Sequence, residues 1–403
     1  MSRARRIAVV AGPDPGHAFP AFALAVALHQ AGHTVTVCSG DRWADAVRRC
    51  GPEFVPLPLL APDPRDDDLG FRLWGRGQEI APLVADLIAP TRPDVVVADA
   101  ITVPGWFAAD LLGVPRVELV ATTLQLPSRQ LPPPGCGLLP GHSPWGRLRD
   151  AALRRAAAPA QRRGDRQRVA ARRALGLPDD TPPALRLVAT LPALELPRSD
   201  WPARTHIVGP LVWEPDDGDL TLPDGNGPVV LVADTSASGV LPRGLLDLAA
   251  EVLPPAGIRV VGTRFGSAPE HRAGVAIGPG RHTTLLSQVD AVVLPGGHGL
   301  LSKSLAAGRP VVVVPGAGDQ RDNAVRVAAL GAGLMIEPRR LDASTLLAAV
   351  RQVLSSSSYA AAAARVAESA RGLSPQCAVD HVESVLQHAT NSARPGVQLD
   401  EEI

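Results

Sequence analysis

Lysine occurs once in this chain, at Lys303, although lysine and arginine together total 40. The basic charge is therefore almost all arginine. Aspartate plus glutamate match it at 40, so the formal net charge is zero. No net field points to nucleic acid or to an anionic membrane. Cysteine is scarce too. Cys38, Cys50, Cys136 and Cys377 are scattered without a C-x-x-C pair. That argues against a disulfide framework or a zinc site, and a reducing cytoplasm is the expected compartment. Long apolar runs are missing: none approaches the roughly 20 residues that span a bilayer. The run behind the basic start, Ile7 to Val10, is too short for a signal peptide and reads as a first strand. No internal sequence repeat is visible. The acidic triplet Asp66-Asp67-Asp68 suggests a metal only weakly, since adjacent acids in a loop are usually solvated.

What is present describes a globular protein. The chain has 403 residues, 45% of them apolar and 20% charged, enough for two ordinary domains. Its most informative stretch runs from Val289 to Leu334. The strand ending at Leu294 is an apolar run without a polar face, as in a buried parallel strand. Pro295-Gly296-Gly297-His298-Gly299 breaks it, Leu301 to Ala307 has helical apolar spacing, and Gly308 closes the helix. Val311 to Val314 is a second buried strand, followed by Pro315-Gly316-Ala317-Gly318 and then Asp319-Gln320. A glycine turn between a parallel strand and a helix leaves backbone N–H groups free at the positive helix end, a site suited to phosphate. Asp319 and Gln320, leaving the next strand, belong to the same crevice.

At the other end, Arg6 to Val10, an amphipathic helix to about Ala31 and a strand from His33 to Cys38 form a βαβ unit. Its first loop, Ala11 to Pro20, lacks the G-x-G-x-x-G dinucleotide fingerprint and instead carries His17 at the mouth of the sheet. Asp99 ends another buried strand, Val95 to Ala98. A histidine near neutral pKa, backed by a carboxylate that fixes its tautomer, can take the proton of a hydroxyl nucleophile. The competing reading is that His17 closes a loop and Asp99 caps the next helix. Leu59 to Gly77 is rich in Pro, Asp and Gly and reads as too irregular for an element. Arg147 to Leu175 reads as a helix with a solvated, arginine-dense face. Glu214 to Gly227 is polar, without periodicity, and marks a domain boundary.

Leu305-Ala306-Ala307-Gly308-Arg309-Pro310 and Asp319-Gln320-Arg321-Asp322-Asn323-Ala324-Val325-Arg326-Val327 resemble the donor-binding signature of nucleotide-sugar-dependent glycosyltransferases. The likeness is to the GT-B fold, in particular to the bacterial branch that decorates macrolides and related natural products. Gly16-His17-x-x-Pro20 is similar to the N-terminal signature of the same family. Two positions depart from the pattern: the usual turn histidine is Pro295 and the usual Thr or Ser is Leu300.

The resemblance covers nearly the whole chain and implies an α/β fold with two Rossmann-like domains, their parallel sheets facing across a cleft. Residues 1–213 would bind the acceptor, 214–227 would be the linker, and 228–375 would bind the nucleotide sugar. Residues 376–390 would form a helix crossing back to the first domain, and 391–403 a frayed tail. It implies an inverting, metal-independent transferase acting on an apolar natural-product hydroxyl, with His17 as general base oriented by Asp99. Donor contacts would come from Thr235, Ser236, Pro279, Gly297, His298, Gly299, Lys303, Asp319 and Gln320. Acceptor contacts would come from Phe19, Phe71, Trp74 and Thr122. The co-substrate is a nucleoside-diphosphate sugar, UDP- or dTDP-linked before GDP-linked, with no further cofactor. A homodimer or an auxiliary protein is left open as a partner. Pro295 and Leu300 keep a second reading open: a relative that has lost donor binding and serves as an auxiliary subunit, or catalyses another base-assisted step.

Overall fold

The structure, a computed structural model, describes residues 4–392 except 59, 60, 62, 217, 219, 234–243 and 265–267. Two seven-stranded sheets organise it. The first is built from β1 (Arg6–Val10), β2 (Thr34–Ser39), β3 (Glu53–Pro56), β4 (Val95–Asp99), β5 (Arg116–Val120), β6 (Leu185–Val188) and β7 (Thr205–Ile207). Their order is β3-β2-β1-β4-β5-β6-β7, and every pair is parallel. The second comprises β8 (Val229–Ala233), β9 (Arg259–Thr263), β10 (Glu270–Arg272), β11 (Val275–Gly278), β12 (Ala291–Leu294), β13 (Val311–Val313) and β14 (Gly333–Met335). Its order is β10-β11-β9-β8-β12-β13-β14, parallel except for the β10–β11 edge.

Twelve α-helices accompany these strands among the described residues. They are α1 (Pro15–Gln30), α2 (Ala44–Arg49), α3 (Arg76–Ile88), α4 (Val103–Leu111), α5 (Pro144–Ala174) and α6 (Leu245–Val252), then α7 (His282–Leu286), α8 (His298–Ala306), α9 (Asp319–Leu330), α10 (Ala343–Ser355), α11 (Ser357–Glu368) and α12 (Pro375–Ser392). The valine-rich strands are buried on both faces because helices cover both sides of each parallel sheet. Apolar layers built on α8, α9 and α11, and on α6 and α10, enclose the second sheet. In the first half, Phe22, Leu24 and Leu28 of α1 share one apolar layer with Val379, Val382 and Leu386 of α12. The end of the described chain thus lies in the core of its beginning.

Each sheet has one place where the direction of strand addition reverses, between β1 and β4 and between β8 and β12. Loops leaving neighbouring strands there diverge and open a crevice at the carboxyl ends. His17 and Asp99 stand at the first of these points, and the Pro295–Gly299 turn stands at the second. The parallel, two-sheet GT-B architecture expected from sequence is the architecture present.

Local differences have physical causes. Leu59 to Gly77 is not irregular throughout. A 3₁₀ turn covers Pro64–Asp67, a π-helical turn covers Phe71–Gly75, and α3 follows directly. The acids expected to be solvated hold this segment together: Asp66 binds Arg76 at 2.8 Å, and Asp68 accepts from the Phe71 amide at 3.0 Å and pairs with Arg163 of α5. The polar stretch after Glu214 is not a loose connector either. Leu220 is buried beside Gly280, and Glu214 is bonded into the second half.

Candidate active site

α1 starts at Pro15, whose fixed φ suits a first helical position, and His17 lies in its first turn. Its Nδ1 is 2.8 Å from Asp99 Oδ1 at the end of β4. Asp99 is buried, and its other oxygen accepts from Thr102 Oγ1 at 2.8 Å and from the Ile101 amide at 3.3 Å. The carboxylate is therefore held on both sides, and His17 presents Nε2 away from it. Burial disfavours the imidazolium, but the charge and hydrogen bond of Asp99, aided by Asp319 and Asp14, overcome it and raise the His17 pKa above 6.5. The Ile101 contact ties Asp99 to the turn before α4, but the N-cap of that helix is Thr102, with no side-chain cap bond.

Across the crevice, β12 ends in the Pro295–Gly299 turn. Gly296 has φ +90°, and a Cβ there would stand 2.8 Å from Val313 Cγ1, so the turn needs glycine. Asn323 of α9 donates to the Gly296 carbonyl at 3.0 Å and ties the turn to α9. α8 then starts at His298, and among the described residues no side chain is bonded at its cap and nothing stands within 4 Å of a Cβ built on Gly297 or Gly299. The helix N-terminus is open to the crevice. His298 is buried, yet among the described residues neither ring nitrogen has a hydrogen-bond partner; the backbone of Ala189 and the side chain of Asn323 lie beside the ring. Burial, with Arg326 adding to it, pushes its pKa down to about 4, so the ring is neutral at neutral pH.

A cavity of about 450 Å³ joins the two switch points. Among the residues expected at the site, Phe19, Gly297, His298, Gly299, Lys303 and Gln320 line it. Asp319 begins α9 next to Gln320; burial raises its carboxyl pKa while the charge of His17 opposes the rise. Gln320 turns its Oε1 back to the Gly316 amide at 2.8 Å. Lys303 faces Phe19 but is engaged by Glu214 at 2.7 Å. Thr235 and Ser236 lie outside the described residues.

His17, Asp99 and Asp319 stand beside the cavity without lining it, and Pro279, Phe71, Trp74 and Thr122 are not among its lining residues either. Trp74 packs edge-on against Trp106 at 5.8 Å and beside Phe107 at 6.3 Å. Phe71 is covered by the Arg65 guanidinium at 4.1 Å, and Thr122 donates to the Thr123 carbonyl at 2.9 Å. Their faces are taken by neighbours in the first half, where a glance at aromatic residues in a loop cannot see packing.

The cavity also holds residues that sequence reasoning missed. Thr263, Arg264 and His282 line it around the end of β9 and the start of α7, and Arg42 follows β2. A strand-end rule applied to every parallel strand would have singled out Thr263 and Arg264. Glu214 carried no such signal. Its carboxylate accepts from the His282 and Thr283 amides at 3.1 and 3.0 Å, and the ammonium of Lys303 helps, against burial, to hold it below the usual carboxylate range. Among the described residues no three His, Cys, Asp or Glu side chains form a group able to hold a metal ion, and no helix is long and apolar enough to cross a membrane.

With this geometry in place, comparison with known proteins is informative. Residues 277–385 match the family described as the C-terminal domain of erythromycin biosynthesis protein CIII-like proteins. The 4'-demethylrebeccamycin synthase of Lentzea aerocolonigenes is 29% identical over 400 residues, covering 90% of this chain and 94% of that protein. Among solved structures, the glycosyltransferase of kitacinnamycin superposes with a TM-score of 0.73 at 24% identity, covering 96% of this chain and 100% of the other. The glycosyltransferase VinC, solved in complex with dTDP, superposes with a TM-score of 0.68 at 22% identity, covering 95% and 100%.

Proposed function

We infer that this chain, a GT-B glycosyltransferase of the natural-product kind, transfers a sugar with inversion from a nucleoside-diphosphate donor to a hydroxyl of an apolar acceptor. The observation that carries this reading is the hydrogen-bonded His17–Asp99 pair beside a cavity that Gly16 and Phe19 line on one side and Gly297, His298 and Gly299, at the N-terminus of α8, line on the other. In a single displacement the acceptor oxygen forms a bond to the anomeric carbon as the bond to the diphosphate breaks. His17 Nε2 takes the acceptor proton, and Asp99 stabilises the imidazolium that results. Charge develops on the departing diphosphate, and groups aimed at that charge lower the barrier.

The free amides of the first α8 turn supply such groups, with the helix dipole behind them. The neutral ring of His298, without a hydrogen-bond partner among the described residues, is a further donor at the same edge of the cavity. This arrangement compensates for Pro295, which has no N–H to give, and for Leu300, which has no hydroxyl. Asp319 and Gln320 would hold hydroxyls of the donor sugar, close to His17. The nucleotide in the VinC structure puts dTDP first among donors to be tried, with UDP next. We assign the first half to the acceptor and the second to the nucleotide sugar, with the boundary at residues 214–227. Phe19, wedged between Trp43 and Trp213, gives the acceptor side an apolar wall.

His17→Ala is the direct test. Supplied with dTDP- or UDP-sugars and a panel of apolar alcohols and phenols, the variant should lose roughly 10²–10⁴-fold in turnover. Its affinity for the nucleoside diphosphate should remain. An anomeric coupling in the wild-type product opposite to the donor's supports inversion. Full turnover in the variant would remove His17 as the base.

A further inference from the structure

Asp322 is a buried carboxylate on α9 to which neither the motif resemblance nor the mechanism gives a task. It does not bond its own helix. Instead its two oxygens accept backbone amides from the opposite half: Gly135 N–H to Oδ2 at 2.7 Å and Gly137 N–H to Oδ1 at 2.8 Å. Hydrogen bonds to an ionised acceptor are the strong kind. Both glycines adopt positive φ, +81° and +66°, which aims their amides at one point. The segment carrying them is anchored to α5 of its own half on both sides. Arg154 donates to the Leu131 carbonyl at 3.0 Å, Arg149 to the Leu139 carbonyl at 2.7 Å, and the Gly141 amide to Asp150 at 2.7 Å. Residues 131–141 therefore form a strap fastened to α5 at its ends and to α9 at its tip.

The tip lands on the cap of α9. A Cβ built on Gly135 would stand 3.6 Å from Gly318 Cα, and one on Gly137 would stand 3.0 Å from Arg321 Cβ. Gly318 immediately precedes Asp319 and Gln320, and its φ of +64° with ψ of −134° is open only to glycine. The strap thus presses on the backbone that aims the two side chains assigned to the donor sugar. Near it, Arg326 of α9 donates to the Leu194 carbonyl of the first half at 3.0 Å, so α9 is gripped from the acceptor half at two turns.

We propose that Asp322 is a positioning residue for the donor sugar: by pinning the Gly135–Gly137 tip onto Gly318 it fixes Asp319 and Gln320, so that the bound sugar is held for the acceptor and not for water. This rests on the donor-sugar reading of Asp319 and Gln320 given above. The strap touches the cap of α9 and not the α8 turn, so its loss separates sugar recognition from diphosphate recognition.

The experiment uses the full-length enzyme as wild type, Asp322→Ala and Asp322→Asn. Calorimetry with dTDP and with dTDP-glucose (UDP and UDP-glucose where uridine is the base bound) gives two affinities, and donor hydrolysis without acceptor is followed separately. In Asp322→Ala the affinity for the free nucleoside diphosphate should stay within about twofold. Affinity for the sugar conjugate should fall about tenfold, and hydrolysis relative to transfer should rise. Asp322→Asn, which keeps one acceptor oxygen, should fall between. An unchanged ratio of the two affinities and unchanged hydrolysis in both variants would overturn the proposal. So would an equal loss of both affinities, which marks a merely structural carboxylate. A wild type that binds no nucleoside diphosphate would instead overturn the donor reading beneath it, a result distinct from either variant outcome.

Discussion

His298 lines the cavity and His17 stands beside it, between the lining residues Gly16 and Phe19, and the two sit on opposite sides of ordinary imidazole behaviour. Burial acts on both. At His17 the charge and hydrogen bond of Asp99 outweigh it, with Asp319 and Asp14 adding, and the pKa rises. At His298 Arg326 reinforces it, and the pKa falls to about 4. A base must be unprotonated to accept a proton, so kcat/KM should climb with pH to a midpoint above 6.5. Asp99→Asn removes the charge that opposes burial, so that midpoint should move down as the rate falls. A pH–rate profile of both enzymes checks this; an unmoved midpoint would mean that another group titrates. At this scale the sequence was legible where a residue belongs to a recognised pattern beyond a strand, as Asp99 does at the end of β4 and His17 in the first turn of α1. Glu214 was not legible because its partner, Lys303, is 89 residues away and nothing local marks it.

Among elements, the turn from β12 into α8 concentrates the chemistry. Its glycines divide by what surrounds them. Gly296→Ala puts a Cβ against Val313 and the Gln320 carbonyl at φ +90°, and should cost about 1–3 kcal/mol of stability, read as a lower melting temperature. Gly297→Ala meets nothing within 4 Å among the described residues and has a φ of −57°, so stability should hold. Its methyl group would stand where the diphosphate approaches the amides, and nucleotide affinity should drop. Equal nucleotide affinity in Gly297→Ala and wild type would move the ligand away from this turn. The turn, α8 and α9 were readable because strand, glycine and helix signals succeed one another within 46 residues of sequence, from Val289 to Leu334. The π-helical turn at Phe71–Gly75 was not. Composition there resembles a loop, and the segment is held by Arg76 and Arg163 reaching Asp66 and Asp68.

For the molecule as a whole, the two sheets were legible because their central parallel strands, β1, β4, β8, β12 and β13, are buried on both faces and write valine-rich runs, while the edge strands β3, β7 and β14 are partly exposed. What the sequence could not display is how the halves grip each other. The Asp322 contacts join residues 187 and 185 positions apart, and a local pattern carries no record of such a meeting. Transfer requires that the cavity between the halves be a working donor site despite Pro295 and Leu300. Calorimetric titration of the wild-type protein with dTDP, UDP and GDP tests it most directly. Saturable one-to-one binding of dTDP or UDP at micromolar strength, weakened in Gly297→Ala, is the result expected. The absence of binding by all three would contradict the claim.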